Sequence, residues 1–113
     1  MHELAITKGI IDIVNSEAEK GGFKNVLEIT LRVGEYSGIV PECLREFFPI
    51  AAAGSAAERA ALVIEPIEAR FRCLDCGHEG AADRKKACCP ECRSTAIKMT
   101  AGREFFVESL KVE

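Results

Sequence analysis

Residues 73–92 read Cys73-Leu-Asp-Cys76-Gly-His-Glu-Gly-Ala-Ala-Asp-Arg-Lys-Lys-Ala-Cys88-Cys89-Pro-Glu-Cys92, two Cys-x-x-Cys pairs with twelve residues between their inner cysteines. That spacing lets two tight turns face each other and offer four thiolates to one tetrahedral ion, a geometry Zn²⁺ accepts without redox chemistry. Gly77, just past the first pair, can take positive φ without a Cβ clash. Pro90, inside the second pair, presets φ for its turn. The expected ligands are Cys73, Cys76, Cys89 and Cys92. Cys88 is the spare thiol, since only Cys89 gives the second pair its two-residue spacing, and Cys43 reads as a small apolar residue in a helix. A closed four-cysteine site leaves no open position for water or substrate, so this zinc reads as structural.

Around this stretch the sequence predicts an α+β fold: two helices on a small three-stranded sheet, with a four-cysteine zinc-ribbon module inserted before the closing strand. The apolar residues Leu4, Ile6, Ile10, Ile11, Ile13, Val14 and Ala18 form one helical stripe ended by Gly21-Gly22. Leu27, Ile29, Leu31 and Val33 alternate with Glu28, Thr30 and Arg32 as a half-buried strand, and Gly34 to Gly38 makes a loop. A second helix opens near Val40-Pro41, with Pro49 expected to kink it or end its first part and Gly54-Ser55 to stop it. From Ala61 to Arg72 the strand pattern changes phase at Pro66, where the chain should leave the main sheet and run out to the cysteines. Phe106, Leu110 and Val112 then line one face of a final strand. The implied division is a body of residues 1–70 and 102–113 with a ribbon module at 71–101.

At 113 residues and a formal charge of −3, the chain is long enough for one core. Ionising four ligand cysteines and adding Zn²⁺ takes the holo-protein to about −5. That balance argues against nucleic acid, the usual partner of many zinc ribbons. Arg84-Lys85-Lys86 is the only basic run between the cysteine pairs and reads as a solvated loop tip. No signal-peptide pattern opens the sequence and no stretch is long enough to span a bilayer, so a cytoplasmic, reducing setting is expected, where such pairs bind metal rather than bridge. Catalytic signatures are absent: His2 and His78 are the only histidines, and there is no phosphate loop, nucleophile elbow or dinucleotide fingerprint. The expectation is a protein that is not an enzyme.

His2 is the unusual residue. A histidine at position two can chelate with its own chain, through the Met1 α-amine, the His2 amide nitrogen and imidazole Nδ1, with the Glu3 amide as a fourth nitrogen. Square-planar nitrogen suits Ni(II) or Cu(II) and not Zn(II). On residue type alone, a surface histidine near a terminus is more often one with no role.

Met1-His2-Glu3 followed by a long helix, a strand ending Val33-Gly34-Glu35, then Ser37-Gly38 and a second helix resembles the HypA/HybF family. Cys73-x-x-Cys76, Cys89-Pro90-x-Cys92 and the closing Glu108-Ser109-Leu110 extend the resemblance over essentially the whole chain. These are nickel-incorporation proteins of [NiFe]-hydrogenase maturation. The resemblance implies a nickel metallochaperone with Ni²⁺ as transferred cargo, His2 as principal ligand and Glu3 contributing through its backbone. Some members carry an acidic residue before the second helix; here Val40 stands in that neighbourhood, with Glu35 and Glu42 the nearest carboxylates. Implied partners are a hydrogenase maturation GTPase, the [NiFe]-hydrogenase large-subunit precursor and urease maturation proteins, with no nucleic acid and no membrane, the chain acting as a monomer or weak homodimer. The competing classes are a zinc-ribbon binding module for nucleic acid or a transcription complex, and a zinc hydrolase with an open coordination position.

Overall fold

The computed structural model describes residues 2–83 and 85–113, with the side chain of His2 also left undescribed. The elements run α1 (His2–Gly21), β1 (Val26–Gly34), α2 (Pro41–Ala52), β2 (Ala61–Ile67), β3 (Arg70–Cys73), β4 (Glu79–Ala81), β5 (Ile97–Ala101) and β6 (Phe105–Val112). Among the described residues they make two helices and two three-stranded sheets, ordered β2-β1-β6 and β4-β3-β5. This is the expected α+β fold with a four-cysteine ribbon ahead of the closing strand.

The chain groups into two compact units, one of Met1–Arg32, Ile39–Glu65 and Phe106–Glu113, the other of Val33–Gly38 and Pro66–Phe105. The second unit thus reaches beyond residues 71–101 and takes in the loop after β1. Hydrogen bonds explain the inclusion: Glu35 N donates to Ile67 O at 3.0 Å, Tyr36 N to Gly102 O at 2.7 Å and Gly34 N to Glu104 O at 2.7 Å. Glu35 Oε1 also accepts from Ala69 N at 2.9 Å.

In the first unit, α1 and α2 pack together. The buried stripe of α1 is Glu3, Thr7, Ile10, Ile11 and Val14, a clean three-and-four spacing. Ile13 lies off it at 50% exposure, and the polar Thr7 takes the inner position the apolar count had assigned elsewhere. Thr7 is tolerated there because its Oγ1 donates back to Glu3 O within the helix. The helix ends as read, with Gly22 at φ 71° and its N–H on Ala18 O. Opposing it, α2 buries Leu44, Phe48 and Ala52. Each large apolar side chain so buried contributes about 1.5–3 kcal/mol. Pro41 stands in the first turn, where its missing N–H costs nothing, and the helix continues through Pro49 to Ala52 rather than stopping there. Ser55 closes the region: its Oγ donates to Ala52 O at 2.6 Å and accepts from Ala57 N at 3.1 Å.

Strand directions follow from the bonds at their ends. Val26 N donates to Ala56 O and Glu35 N to Ile67 O, so β2 runs the same way as β1, joined by α2 as a crossover. Gly34 N on Glu104 O and Glu113 N on Asn25 O make β6 antiparallel to β1. Ile29 and Leu31 are fully buried on the central strand, whereas Leu27, at its start, is 49% exposed. On the edge strand β6, Phe106 and Val112 are exposed and Phe105 and Val107 half-buried, the reverse of a face led by Phe106.

The phase change in residues 61–72 marks the passage between sheets. Its break falls at Glu68-Ala69, two residues after Pro66, and β3 begins the ribbon sheet at Arg70. There β3 is the centre, antiparallel to both neighbours, with a register shift between Arg70 and Phe71 against β5. No helix among the described residues is long and apolar enough to cross a membrane.

Candidate metal centre

Each cysteine pair sits in a turn that closes on itself in the same way. Cys73 N donates to His78 O at 2.8 Å and Gly77 N to Cys73 O at 3.0 Å; in the second turn Cys89 N donates to Ser94 O at 2.8 Å and Arg93 N to Cys89 O at 2.8 Å. The position after the second cysteine of each pair takes the left-handed region in both turns. Gly77 takes it at φ 78°, and Arg93 takes it at φ 63°. An L side chain there costs about 1–2 kcal/mol, partly offset by the ~0.5–1 kcal/mol by which glycine is entropically disfavoured. Arg93→Gly should therefore raise the stability of the metal-loaded protein by up to ~1 kcal/mol, seen as a higher melting temperature, while Gly77→Arg lowers it. Sequence spacing alone finds this position, because it repeats the place of Gly77.

The two turns are stitched together. Ser94 Oγ donates to Asp75 Oδ2 and accepts from Ala96 N, and Leu74 N donates to Ala96 O at 2.8 Å. The result brings the sulfurs of Cys73, Cys76, Cys89 and Cys92 within 4.8 Å of one another. Cys73–Cys92 and Cys76–Cys89 Sγ separations are both 3.6 Å. A tetrahedron with metal–sulfur bonds of ~2.3 Å has edges of ~3.8 Å, so the cluster fits one such ion. Cys76 N points at Cys73 Sγ at 3.5 Å. Cys73 and Cys89 are buried with Phe71, against which Ala82 and Ile97 pack, and Cys76 and Cys92 are exposed.

As free thiols the four hold protons unequally. The N–H of Cys76, helped by that of Asp75, draws Cys73 down to about 7 against the effect of burial. For Cys92 the Ser94 N–H acts downward, but burial and the thiols of Cys73, Cys76 and Cys89 outweigh it and push the group up to about 12. Cys76 is also raised: the His78 N–H lowers it, while burial and the Cys89 and Cys73 thiols prevail. Four sulfurs this close cannot all ionise unless a cation joins them, which is what a metal site requires.

Other expected residues lie apart from this cluster. Cys88 is half-buried beside it, Cys43 is half-buried on α2, and His78 packs against the Phe71 ring at 5.8 Å between centroids. Glu3 is buried in the first turn of α1. Glu35 accepts a backbone hydrogen bond and Glu42 is exposed in the first turn of α2. Met1, the side chain of His2 and Arg84 fall outside the described residues.

The family described as hydrogenase/urease nickel incorporation, metallochaperone, hypA, matches residues 1–112. A hydrogenase maturation factor HypA of Chlorobium luteolum is 42% identical over 113 residues, covering 100% of this chain and 97% of that one. A factor of the same name from Methanocaldococcus jannaschii is 38% identical over 121 residues, covering 100% and 98%. In fold, the chain is similar to the solution structure of the Ni metallochaperone HypA from Helicobacter pylori, with a TM-score of 0.71 at 23% identity over 99% of this chain and 97% of that one. A second HypA solution structure gives 0.75 at 23% identity, covering 100% and 97%. With a family match along almost its whole length and relatives of this identity, the chain belongs to the HypA family of hydrogenase and urease nickel-incorporation metallochaperones.

Proposed function

We propose that this protein accepts Ni(II) at its N-terminus and delivers it during [NiFe]-hydrogenase maturation, without catalysing a reaction of its own. The observation that carries the reading is the family match, which begins at residue 1 and so includes Met1-His2-Glu3. The four-thiol cluster supports it indirectly. A closed sulfur site suits a resident structural ion, so cargo needs a second, more labile place. The Met1 amine, the His2 amide and imidazole, and the Glu3 amide supply four nitrogens in a plane, a donor set that favours Ni(II) over Zn(II). A chelate at a chain end is accessible to a receiving protein and can rearrange without disturbing a core. Cys73, Cys76, Cys89 and Cys92 would hold Zn²⁺, which supplies cross-linking of the two turns and no catalytic chemistry. On this reading the partners are a maturation GTPase, the hydrogenase large-subunit precursor and urease maturation proteins, met in the cytoplasm.

Calorimetric Ni(II) titration of the zinc-loaded protein tests this. Wild type should give a yellow, diamagnetic planar complex and release protons as amide nitrogens deprotonate, so affinity climbs with pH. His2→Ala, an N-terminal tag or a residue inserted between Met1 and His2 should each abolish the complex and leave zinc content unchanged. Unaltered affinity and planar spectrum in the tagged protein would exclude the amine and sink the planar chelate.

A further inference from the structure

The ribbon unit holds a trough that the metal and nickel readings leave unused. It lies between the face of the β4-β3-β5 sheet and the chain that links the two cysteine turns, with a volume of about 570 Å³. Phe71, buried at 5% exposure, and the half-buried Ile97 and Met99 are its apolar lining on the sheet side. Phe71 and Met99 are register partners on neighbouring strands, so their side chains share this face. Ala82 and Cys88 line it from the linking segment, and Pro90 from the second cysteine turn. A volume of this size, mostly apolar with few polar groups, is the usual form of a recognition site.

Its charge is net positive, with Lys86 and Arg103 against Asp83. Lys86 and Arg103 both line the trough and are exposed, and among the described residues neither has a carboxylate partner. The one acid present, Asp83, already accepts the backbone N–H of Lys85 through Oδ1 at 2.9 Å. Two unpaired cations beside an apolar floor complement a ligand that is apolar in its middle and anionic at its flanks. The whole protein is acidic, with a net charge of −3, so this local excess of positive charge runs against the average.

We propose that the trough docks an extended segment of a partner protein in which one or two large apolar side chains are flanked by Asp or Glu. The apolar side chain seats on Phe71 and Met99, and the flanking carboxylates pair with Lys86 and Arg103. Apolar burial supplies the affinity, and the charges set which segments are accepted. Cys88 and Pro90 bracket the cluster residue Cys89, so an occupant presses on the loop that carries one sulfur of the metal centre. Occupancy and metal retention are then linked, each changing the other by the same factor. The proposal stands apart from the nickel reading, since none of these residues belongs to the N-terminal chelate.

The test uses zinc-loaded full-length protein and a fluorescein-labelled hexapeptide pool. Two acidic residues stand on each side of a central pair drawn from Leu, Ile, Met and Phe, and a control pool replaces the acids by lysine. Fluorescence anisotropy should show the acidic pool binding about ten-fold or more tighter than the basic one. Methyl NMR signals of Met99 and Ile97 should move on titration. Lys86→Glu with Arg103→Glu should weaken the acidic pool about ten-fold, with melting temperature, zinc content and nickel titration unchanged. Met99→Lys, a second variant, should abolish binding of both pools. Equal binding of the two pools, shifts confined to other surfaces, or no binding would overturn the proposal. So would self-association that protects Met99 and Ile97, which would make a second copy of the chain the occupant.

Discussion

Alanine at Cys73 or Cys89 should strip the ribbon of tightly bound zinc and abolish its cooperative unfolding. Structural zinc contributes on the order of 10 kcal/mol of folding free energy in small modules, so no single side chain outside the four cluster cysteines carries a comparable effect. The two buried sulfurs should be the costlier pair. Each is lost as a ligand and also as a packing partner of Phe71 and Ile97, whereas Cys76 and Cys92 are exposed. Cys88→Ala and Cys43→Ala should retain full zinc, because neither thiol belongs to the cluster. Metal analysis after gel filtration, with circular dichroism melting, reads the alanine variant of each of the six cysteines. Full zinc in Cys89→Ala with loss in Cys88→Ala would reverse the assignment. Acid should act in the same direction as mutation. Cys92, pushed up to about 12 as a free thiol, loses its proton to solvent only when a cation displaces it, so zinc affinity rises with pH and falls as protons compete.

Gly34→Ala should be the most damaging substitution outside the cysteines, by more than about 3 kcal/mol. A Cβ at that position would lie 2.1 Å from Gly102 O and 2.3 Å from Gly102 C, both main-chain atoms that cannot swing aside. Gly102 is itself constrained, with φ at 117° and a virtual Cβ 2.7 Å from Ala69 Cα. Three backbone segments thus meet without room for a side chain, and the bonds of Glu35, Tyr36 and Gly34 to residues 67, 102 and 104 depend on that approach. Gly9→Ala provides the opposite case. Nothing lies within 4 Å of its Cβ inside α1, so alanine should stabilise by up to about 1 kcal/mol. Urea unfolding of the zinc-loaded variants measures both, and a Gly34→Ala protein as stable as wild type would remove the close-packed junction from the account.

The contrast between these glycines shows which parts of the fold a sequence reader can reach. Local signals were legible: the stripe of α1, Gly22 at its end, Pro41 at the start of α2, and the cysteine spacing that leads to the sulfur cluster. The need for glycine at position 34 was not, because it arises from residues far along the chain; there the residue reads only as a strand breaker. Ile13 was misplaced because hydrophobicity alone cannot tell that Thr7 satisfies its hydroxyl within the helix and so can face inward. Glu79-Gly80-Ala81 escaped notice as a strand because three residues containing a glycine carry no measurable periodicity, yet pairing with β3 makes it one. The trough has no sequence signature at all. Its lining comes from β3, β5, the linking segment, Arg103 and Tyr36, far apart in sequence, which only folding brings together.

The alternation of hidden and open sulfurs in the cluster has a kinetic meaning. Cys76 and Cys92 are the atoms that an incoming chelator or competing thiol reaches first, while Cys73 and Cys89 hold the inner side. Metal exchange should then proceed by stepwise substitution, with the ion passing through mixed-ligand intermediates still anchored by the inner pair. Extraction would accelerate with chelator concentration instead of levelling at a fixed dissociation rate, and no free aqueous ion would form along the way.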